Sequence, residues 1–199
     1  MIEEKKGGFT LKKGDALIIV DVQNDFLPAG NLGVSDGDKV VPVLNRYIEI
    51  SRSKKLPLFA TRDWHPPAHS SFREYGGPWP PHCVVDSEGA QFAANLNLPL
   101  DSMVISKGTA EDSDAYSGFE GTNLDEKLRS LGVARLLIGG LATDYCVLNT
   151  VKDAIKLGYD VLLLSDAIKA VDVSPGDGKR AIEEMKRDGA IPVRLDMVC

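Results

Sequence analysis

Cys146 is the residue of this sequence whose surroundings point most clearly to chemistry. An apolar run of strand length, residues 136–138, is followed by Gly139 and Gly140 and then by apolar residues at helical spacing. This pattern predicts a buried strand, a break at the two glycines and a helix. Cys146 would lie in the first turn of that helix.

The start of this helix would affect the thiol. Thr143 or Asp144 is the predicted N-cap, and Gly158 is the residue expected just past the helix end. The positive end of a helix dipole and its unpaired N–H groups favour a thiolate, so we expect the pKa of Cys146 to be lowered. A buried packing role is the alternative for a lone cysteine, and a base and a cation nearby would favour catalysis.

Polar residues follow several predicted strands at equivalent positions. Asp21, Asp63, Lys107 and Cys146 each come after a different strand, and ligands bind at the carboxyl edge of open α/β sheets. Asp21 would accept the thiol proton, Lys107 would stabilise the thiolate, and Cys146 would attack a carbonyl carbon. The backbone N–H groups of Ala142 and Cys146 are the predicted oxyanion hole. This chemistry is acyl transfer through a thioester.

A second group of residues has the composition of a metal site. Asp63 and His65 are two apart in extended chain and would face the same way, and His82 would approach from the following loop. Carboxylate and imidazole suit one divalent ion, zinc above all, with iron or manganese as alternatives. Three protein ligands leave coordination positions open for water or substrate. His69 is either a further ligand or a support for the others.

The segment 64–99 is rich in proline, glycine and histidine and predicts a long irregular excursion, which in compact proteins is usually functional or disordered. Its two tryptophans and three histidines argue against disorder. Phe26, Trp79 and Tyr116 are the predicted aromatic walls of a substrate pocket.

Elements expected to position these residues alternate along the chain. The predicted strands and helices are, in order, strand 16–20, helix 40–55, strand 58–61, strand 103–106, helix 123–130, strand 136–138, the helix from 143, strand 161–164, helix 179–187 and strand 191–197. Alternation of this kind predicts an α/β fold with a mainly parallel sheet of about six strands and helices on both faces.

Composition narrows the class of protein. A chain of 199 residues with 43% hydrophobic and 26% charged residues predicts a single domain over 1–199, with 1–14 as an N-terminal extension. The net charge of −6 argues against nucleic acid or an anionic membrane as partner. Three widely spaced cysteines, no signal-like start and no apolar run of membrane length indicate a soluble protein of the cytoplasm.

Six motifs in this order and spacing resemble those of one enzyme family: DVQNDF from Asp21, RDWHPPAHSSF from Arg62, WPPHC from Trp79, SKGT from Ser106, AYSGFEG from Ala115 and GLATDYCV from Gly140. They are similar to the nicotinamidases, also called pyrazinamidases, among the isochorismatase-like cysteine hydrolases. The resemblance implies a three-layer, Rossmann-like α/β/α fold. It also implies hydrolysis of nicotinamide to nicotinate and ammonia, a step of NAD salvage, and activity on pyrazinamide.

The resemblance extends to individual residues. The resemblance implies a cis peptide bond before Ala142. It is also compatible with assembly of the protein into a homo-oligomer. Tyr145 stands where some members carry histidine, which leaves its role open. The implied catalytic triad is Asp21, Lys107 and Cys146, and the implied ligands of the ion that binds the pyridine nitrogen are Asp63, His65 and His82.

Three alternatives remain at this point. A related cysteine hydrolase acting on a carbamoyl or ureido amide would keep the triad but has no evident need for the metal trio. An oxygenase would use the histidines and aspartate as an iron site and leave the triad unexplained. A metal-bound interaction module would catalyse nothing.

Overall fold

A six-stranded parallel sheet organises the chain. The computed structural model describes residues 8–199, so part of the predicted extension 1–14 lies outside the described residues. The sheet has the order β3-β2-β1-β4-β5-β6. Its strands are β1 Asp15–Val20, β2 Leu58–Asp63, β3 Met103–Lys107, β4 Arg135–Leu141, β5 Asp160–Lys169 and β6 Ile191–Val193.

Helices cover both faces of the sheet, which confirms the predicted three-layer α/β/α fold. They are α1 Val40–Ser53, α2 Leu124–Ser130, α3 Leu148–Lys156 and α4 Asp177–Asp188, with a π-helical turn, Thr143–Val147, leading into α3. Leu17 and Ile19 of β1 pack on the α1 side, whereas Ile18 packs on the side of α2, α3 and α4. Every residue of β1 is buried, as expected for a strand covered on both faces.

The strand order reverses between β1 and β4. The chain builds the sheet outward from β1 through β2 to β3, then returns to the other side of β1 and continues through β4 to β6. Parallel pairing of β1 with both β2 and β4 puts the carboxyl ends of these strands at one edge. A crevice at such a reversal is the usual ligand position in this architecture.

Gly139 and Gly140 do not break the strand, and this prediction was wrong. Both lie within β4. A Cβ on Gly140 would lie 2.1 Å from the carbonyl oxygen of Val20 in β1, and one on Gly139 would lie 3.2 Å from that of Ala167 in β5. The glycines are therefore needed because β4 approaches its two neighbours closely, which a local pattern does not reveal.

Other element bounds differ from the expected ones. β5 is longer than residues 161–164, and β2 and β3 continue through Asp63 and Lys107. β6 ends at Val193, and a 3₁₀ turn follows it; the N–H of Leu195 donates to Asp166 Oδ2 at 2.8 Å instead of continuing the sheet. Near the carboxyl terminus, Val198 instead forms a bridge to Phe9.

The long excursion between β2 and β3 is irregular but closely packed. Phe72, Cys83 and Ala90 within it are fully buried. Isolated bridges join His65 to Val84 within the segment and Phe92 to the turn after β1. Over residues 8–199, no helix has the length and apolar composition needed to cross a membrane.

We predict that Gly140→Ala strongly destabilises the fold, because the added methyl would collide with the β1 backbone and Gly140 has a φ of +128°. The free energy of unfolding should fall by about 3 kcal/mol or more in urea titrations followed by circular dichroism. Gly158→Ala is the control: its φ is +90°, but apart from its neighbours in the chain no described residue has a heavy atom within 4 Å of the added Cβ. It should cost about 1 kcal/mol. Equal losses in the two variants would contradict the steric explanation.

Candidate active site

Four adjacent strands bring the chemically capable residues together. Lys107 ends β3, Asp63 ends β2, Asp21 follows β1, and Cys146 lies in the π-helical turn after β4. All four side chains are at least 94% buried. The strand order, rather than proximity in the chain, produces this cluster.

Lys107 is the centre of the cluster. Its Nζ lies 2.9 Å from Asp21 Oδ2, donates to Asp63 Oδ1 and to the carbonyl oxygen of Ala115 (3.1 Å), and lies 3.4 Å from Cys146 Sγ. Burial alone would lower the pKa of Lys107, but the two carboxylates outweigh it and hold this pKa well above its ordinary value. Lys107 is therefore a buried ammonium.

Asp21 is oriented by a residue that the sequence reasoning missed. Thr61 Oγ1 donates to Asp21 Oδ1 at 2.6 Å. In the part of the chain that the structure describes, Asp21 Oδ2 accepts no hydrogen bond of good geometry, although it faces the Lys107 ammonium. Burial raises the pKa of Asp21 by more than Lys107 lowers it. A carboxylate with a raised pKa is a suitable proton acceptor. Thr61 is two residues before Asp63 in β2, a spacing that could have placed it on the same face.

The expected low pKa of Cys146 is wrong. Burial raises the pKa of this thiol well above its ordinary value, and Asp21 and Asp63 add to the effect, so the Lys107 ammonium does not offset it. The free energy needed to remove a thiolate from water exceeds the stabilisation that the start of a helix provides. The thiol is therefore protonated at rest, and a base must remove its proton during the reaction.

The N-cap prediction is also wrong. The residue before the π-helical turn is Ala142, and no side chain of the described residues caps the turn. Asp144 instead accepts hydrogen bonds from the N–H groups of Val171 and Asp172, both at 2.9 Å. The Leu141–Ala142 peptide bond is cis, as the resemblance implied.

Asp63, His65 and His82 form a compact group of donor atoms. Asp63 Oδ2 lies 3.6 Å from His65 Nε2 and 4.0 Å from His82 Nε2. Each histidine directs its Nδ1 to a backbone carbonyl: His65 to Gly108 at 2.9 Å and His82 to Pro80 at 2.8 Å. Both Nε2 atoms are thereby free to act as ligands, the arrangement in which protein histidines bind metal.

The donor chemistry fits a metal ion. Among residues 8–199, the buried His65 Nε2 has no hydrogen-bond partner, which a bound cation would provide. Burial opposes ionisation of Asp63, but Lys107 and His65 outweigh it and hold the pKa of Asp63 below its ordinary value. Burial lowers the pKa of His82, whereas at His65 the Asp63 carboxylate outweighs burial and raises the pKa, so a bound ion would have to displace a proton there. A carboxylate and a neutral imidazole are the protonation states that a divalent ion requires.

His69 packs against this group. Its ring stacks on that of His65 with centroids 4.0 Å apart. Nδ1 lies 2.7 Å from Ser71 Oγ, and Nε2 lies 3.2 Å from the carbonyl oxygen of Ser113. Both ring nitrogens of His69 therefore have partners in this structure.

Gln23 is a further residue that the sequence reasoning missed. Its side-chain amide donates to the carbonyl oxygens of Asp63 (2.8 Å) and Ala90 (2.9 Å), and its Oε1 accepts from the N–H of Asp63 (2.8 Å). Gln23 is fully buried. The backbone of Asp63 is thus fixed on both sides by one side chain, which no local pattern could have indicated.

An aromatic pocket opens onto both groups. The predicted walls Phe26, Trp79 and Tyr116 all line it, and Trp79 Nε1 donates to Tyr116 Oη at 3.0 Å. The other lining residues are Asp63, His82, Ala142 and Cys146, which were predicted to act in the site, and Leu32, Asp114, Tyr145 and Val171, which were not predicted as walls.

Tyr145 could have been anticipated as a wall from its position beside Cys146. Its ring packs edge-on against Trp79 with centroids 5.2 Å apart. Leu32 and Val171 come from loops with no distinguishing pattern, so only the folded chain reveals them.

Known proteins are similar to this chain in sequence. Residues 15–197 match the family model described as the isochorismatase domain. The nicotinamidase of Escherichia coli K12 is 39% identical over 196 residues, covering 88% of this chain and 92% of that protein.

Two solved structures are also similar. The pyrazinamidase of Pyrococcus horikoshii in complex with zinc is 51% identical, with a TM-score of 0.88 over 92% of this chain and 99% of that one. PnC1 from L. infantum in complex with nicotinate is 37% identical, with a TM-score of 0.85 over 94% and 96% of the two chains. The chain therefore belongs to the isochorismatase family and, within it, to the group of nicotinamidases and pyrazinamidases.

Proposed function

We propose that this protein hydrolyses nicotinamide to nicotinate and ammonia through a cysteine thioester, with one divalent metal ion, preferably zinc. The observation that carries the proposal is that Asp63 belongs to both groups of residues. One of its oxygens accepts from Lys107, beside Cys146, and the other faces His65 and His82. A site for acyl transfer and a site for a cation therefore open on one pocket.

The comparisons support the substrate. The similar Escherichia coli protein is a nicotinamidase, and the similar structures contain zinc in one case and nicotinate in another. Pyrazinamide should also react, because its ring carries a nitrogen at the same position relative to the carboxamide. The product nicotinate would return to NAD synthesis.

The residues present can carry out both half-reactions. Asp21 Oδ2 accepts the proton of Cys146 Sγ, which attacks the carboxamide carbon, and Lys107 stays charged and stabilises the developing anion. The N–H groups of Ala142 and Cys146 donate to the oxyanion. Asp21 then gives its proton to the departing amine, and ammonia leaves a thioester. Water, deprotonated by Asp21, attacks the thioester, and breaking the C–S bond releases nicotinate and restores the thiol.

The second group would orient the ring. Asp63, His65 and His82 would hold the ion, which when bound supplies a Lewis acid for the lone pair of a pyridine nitrogen. Phe26, Trp79 and the other walls would contact the faces and edges of the ring. Fixing the ring aligns the carboxamide carbon with the sulfur.

Cys146→Ala should abolish turnover, because it removes the nucleophile but leaves the Asp21–Lys107–Asp63 contacts intact. We expect ammonia release to fall at least about a thousandfold, with nicotinamide affinity by calorimetry and the thermal midpoint little changed. Cys199→Ala, at an exposed cysteine, is the control and should be fully active. Substantial turnover in Cys146→Ala would exclude the covalent mechanism.

Asp21 should set the acidic limb of the pH profile. The base must be ionised, so kcat/KM should fall as the pH drops through the pKa of Asp21, which burial raises. Thr61→Val removes a hydrogen bond that lowers this pKa, so the limb should move to higher pH. Asp21→Asn cannot accept the proton and should lose nearly all activity. A fully active Asp21→Asn with an unchanged limb would assign the base elsewhere.

Loss of the metal should impair both binding and alignment. We expect His82→Ala, or treatment with a chelator, to raise KM and lower kcat together for nicotinamide. Benzamide, which lacks the ring nitrogen, should bind poorly to the metal-loaded enzyme and lose little more when the metal is removed. Alkylation of Cys146 should continue in the metal-free enzyme. If Asp63, His65 and His82 held no metal and the nicotinamide kinetics were unchanged, the protein would instead be a hydrolase of carbamoyl or ureido amides.

A further inference from the structure

We propose that Asp25 is a positioning residue of the metal site, which aligns His82 and His65 through the backbone of Cys83. This inference rests on the proposed metal site and adds to it a residue that contacts neither ion nor substrate. Asp25 lies in the 3₁₀ turn Asn24–Phe26 that follows β1. It is only 6% exposed.

The carboxylate of Asp25 joins separate loops. Oδ2 accepts from the N–H of Cys83 at 2.7 Å, and Oδ1 accepts from the N–H of Asn31 at 3.1 Å. Gly89 packs against the same group, since a Cβ there would lie 2.1 Å from Asp25 Oδ2. One buried charge therefore fixes the start of the segment after His82 and the loop that carries the pocket residue Leu32.

Cys83 has a backbone conformation that needs such support. Its φ is +46°, in the left-handed region that residues with a Cβ rarely adopt. Its N–H bonds to Asp25, and its carbonyl oxygen accepts from the N–H of His65 at 3.0 Å. The peptide units of Cys83 thus connect Asp25 to both histidines of the trio, because His82 is the preceding residue.

The charge-assisted bond explains why a carboxylate is used at this position. A carboxylate oxygen accepts strongly from a backbone N–H, whereas the amide of an asparagine keeps the shape but has only one accepting oxygen for two N–H donors. Asp25→Asn would leave the N–H of Cys83 or Asn31 without its acceptor. Groups that hydrogen-bond to a metal ligand commonly contribute a factor of about 10 to 100 in metal affinity, and Asp25 acts through the peptide unit that joins His82 to Cys83.

Zinc affinity of the full-length, metal-free protein tests this inference. Titration with zinc against a competing chelator should give a dissociation constant about 10- to 100-fold weaker for Asp25→Asn than for wild type. Asp166→Asn is the matched control, because Asp166 also joins separate segments, accepting from Tyr47 Oη at 2.9 Å and from the N–H of Leu195 at 2.8 Å. Its zinc affinity should stay within about threefold of wild type, a margin that we set well below the range expected for Asp25→Asn.

Three outcomes distinguish the explanations. Wild-type zinc affinity in Asp25→Asn, or an equal loss in Asp166→Asn, would overturn the positioning role. If the wild type bound no zinc, the proposed metal site itself would be wrong. If the wild type bound zinc and Asp25→Asn bound it equally well, only the role of Asp25 would be wrong. The rate of Cys146 alkylation in metal-free Asp25→Asn should match wild type, because the hydrogen bonds of the Asp25 carboxylate go to Cys83 and Asn31 and not to the triad.

A second variant covers the case in which Asp25→Asn does not fold. Gly89→Ala keeps the Asp25 carboxylate but adds a methyl group against it, which should displace Oδ2 from the N–H of Cys83. We expect weaker zinc binding in this variant too. Unchanged zinc affinity in folded Gly89→Ala would count against the inference.

Discussion

The buried ammonium of Lys107 is the interaction on which both halves of the site depend. It lies between the carboxylates of Asp21 and Asp63, and removing one partner from such a buried group costs about 3 to 5 kcal/mol. One ammonium against two carboxylates leaves an excess negative charge among buried side chains. A divalent cation beside Asp63 would complement that excess, which is a physical reason for the trio and the triad to be neighbours.

Asp63 links the two halves because its oxygens have different partners. Oδ1 accepts a hydrogen bond from Lys107, and Oδ2 faces the histidines. Gln23 fixes the backbone of Asp63, and Thr61 fixes Asp21, so each carboxylate is presented by a rigid strand end and a buried hydrogen bond. This rigidity suits a site in which reacting atoms must be aligned before the reaction.

The same kind of contact holds several loops around the pocket: a carboxylate accepts hydrogen bonds from backbone N–H groups. Asp25 holds Cys83, and Asp144 holds Val171 and Asp172. Asp172 in turn accepts from the N–H of Gly178 near the start of α4. Because irregular segments lack the regular hydrogen bonds of helices and strands, such side chains supply the partners that keep the pocket walls in place.

The strands, the helices and the residues of the candidate site could be predicted from the amino-acid sequence alone. Apolar runs of strand length predicted all six strands approximately, since burial on both sheet faces requires such runs. The polar residues after four of them, Asp21, Asp63, Lys107 and Cys146, could be assigned to one sheet edge because parallel strands share their carboxyl side. The catalytic and metal-binding roles of these residues remain predictions.

Properties that depend on contacts between distant residues could not be predicted before the chain was seen folded. Burial among carboxylates reversed the expected direction of the Cys146 pKa, and the neighbouring backbone of Val20 explained Gly140 within β4. The bond from Asp25 to Cys83 spans 58 residues of sequence. Local periodicity carries no information about such pairs, because desolvation, close approach and hydrogen bonding between loops arise only once the chain has folded.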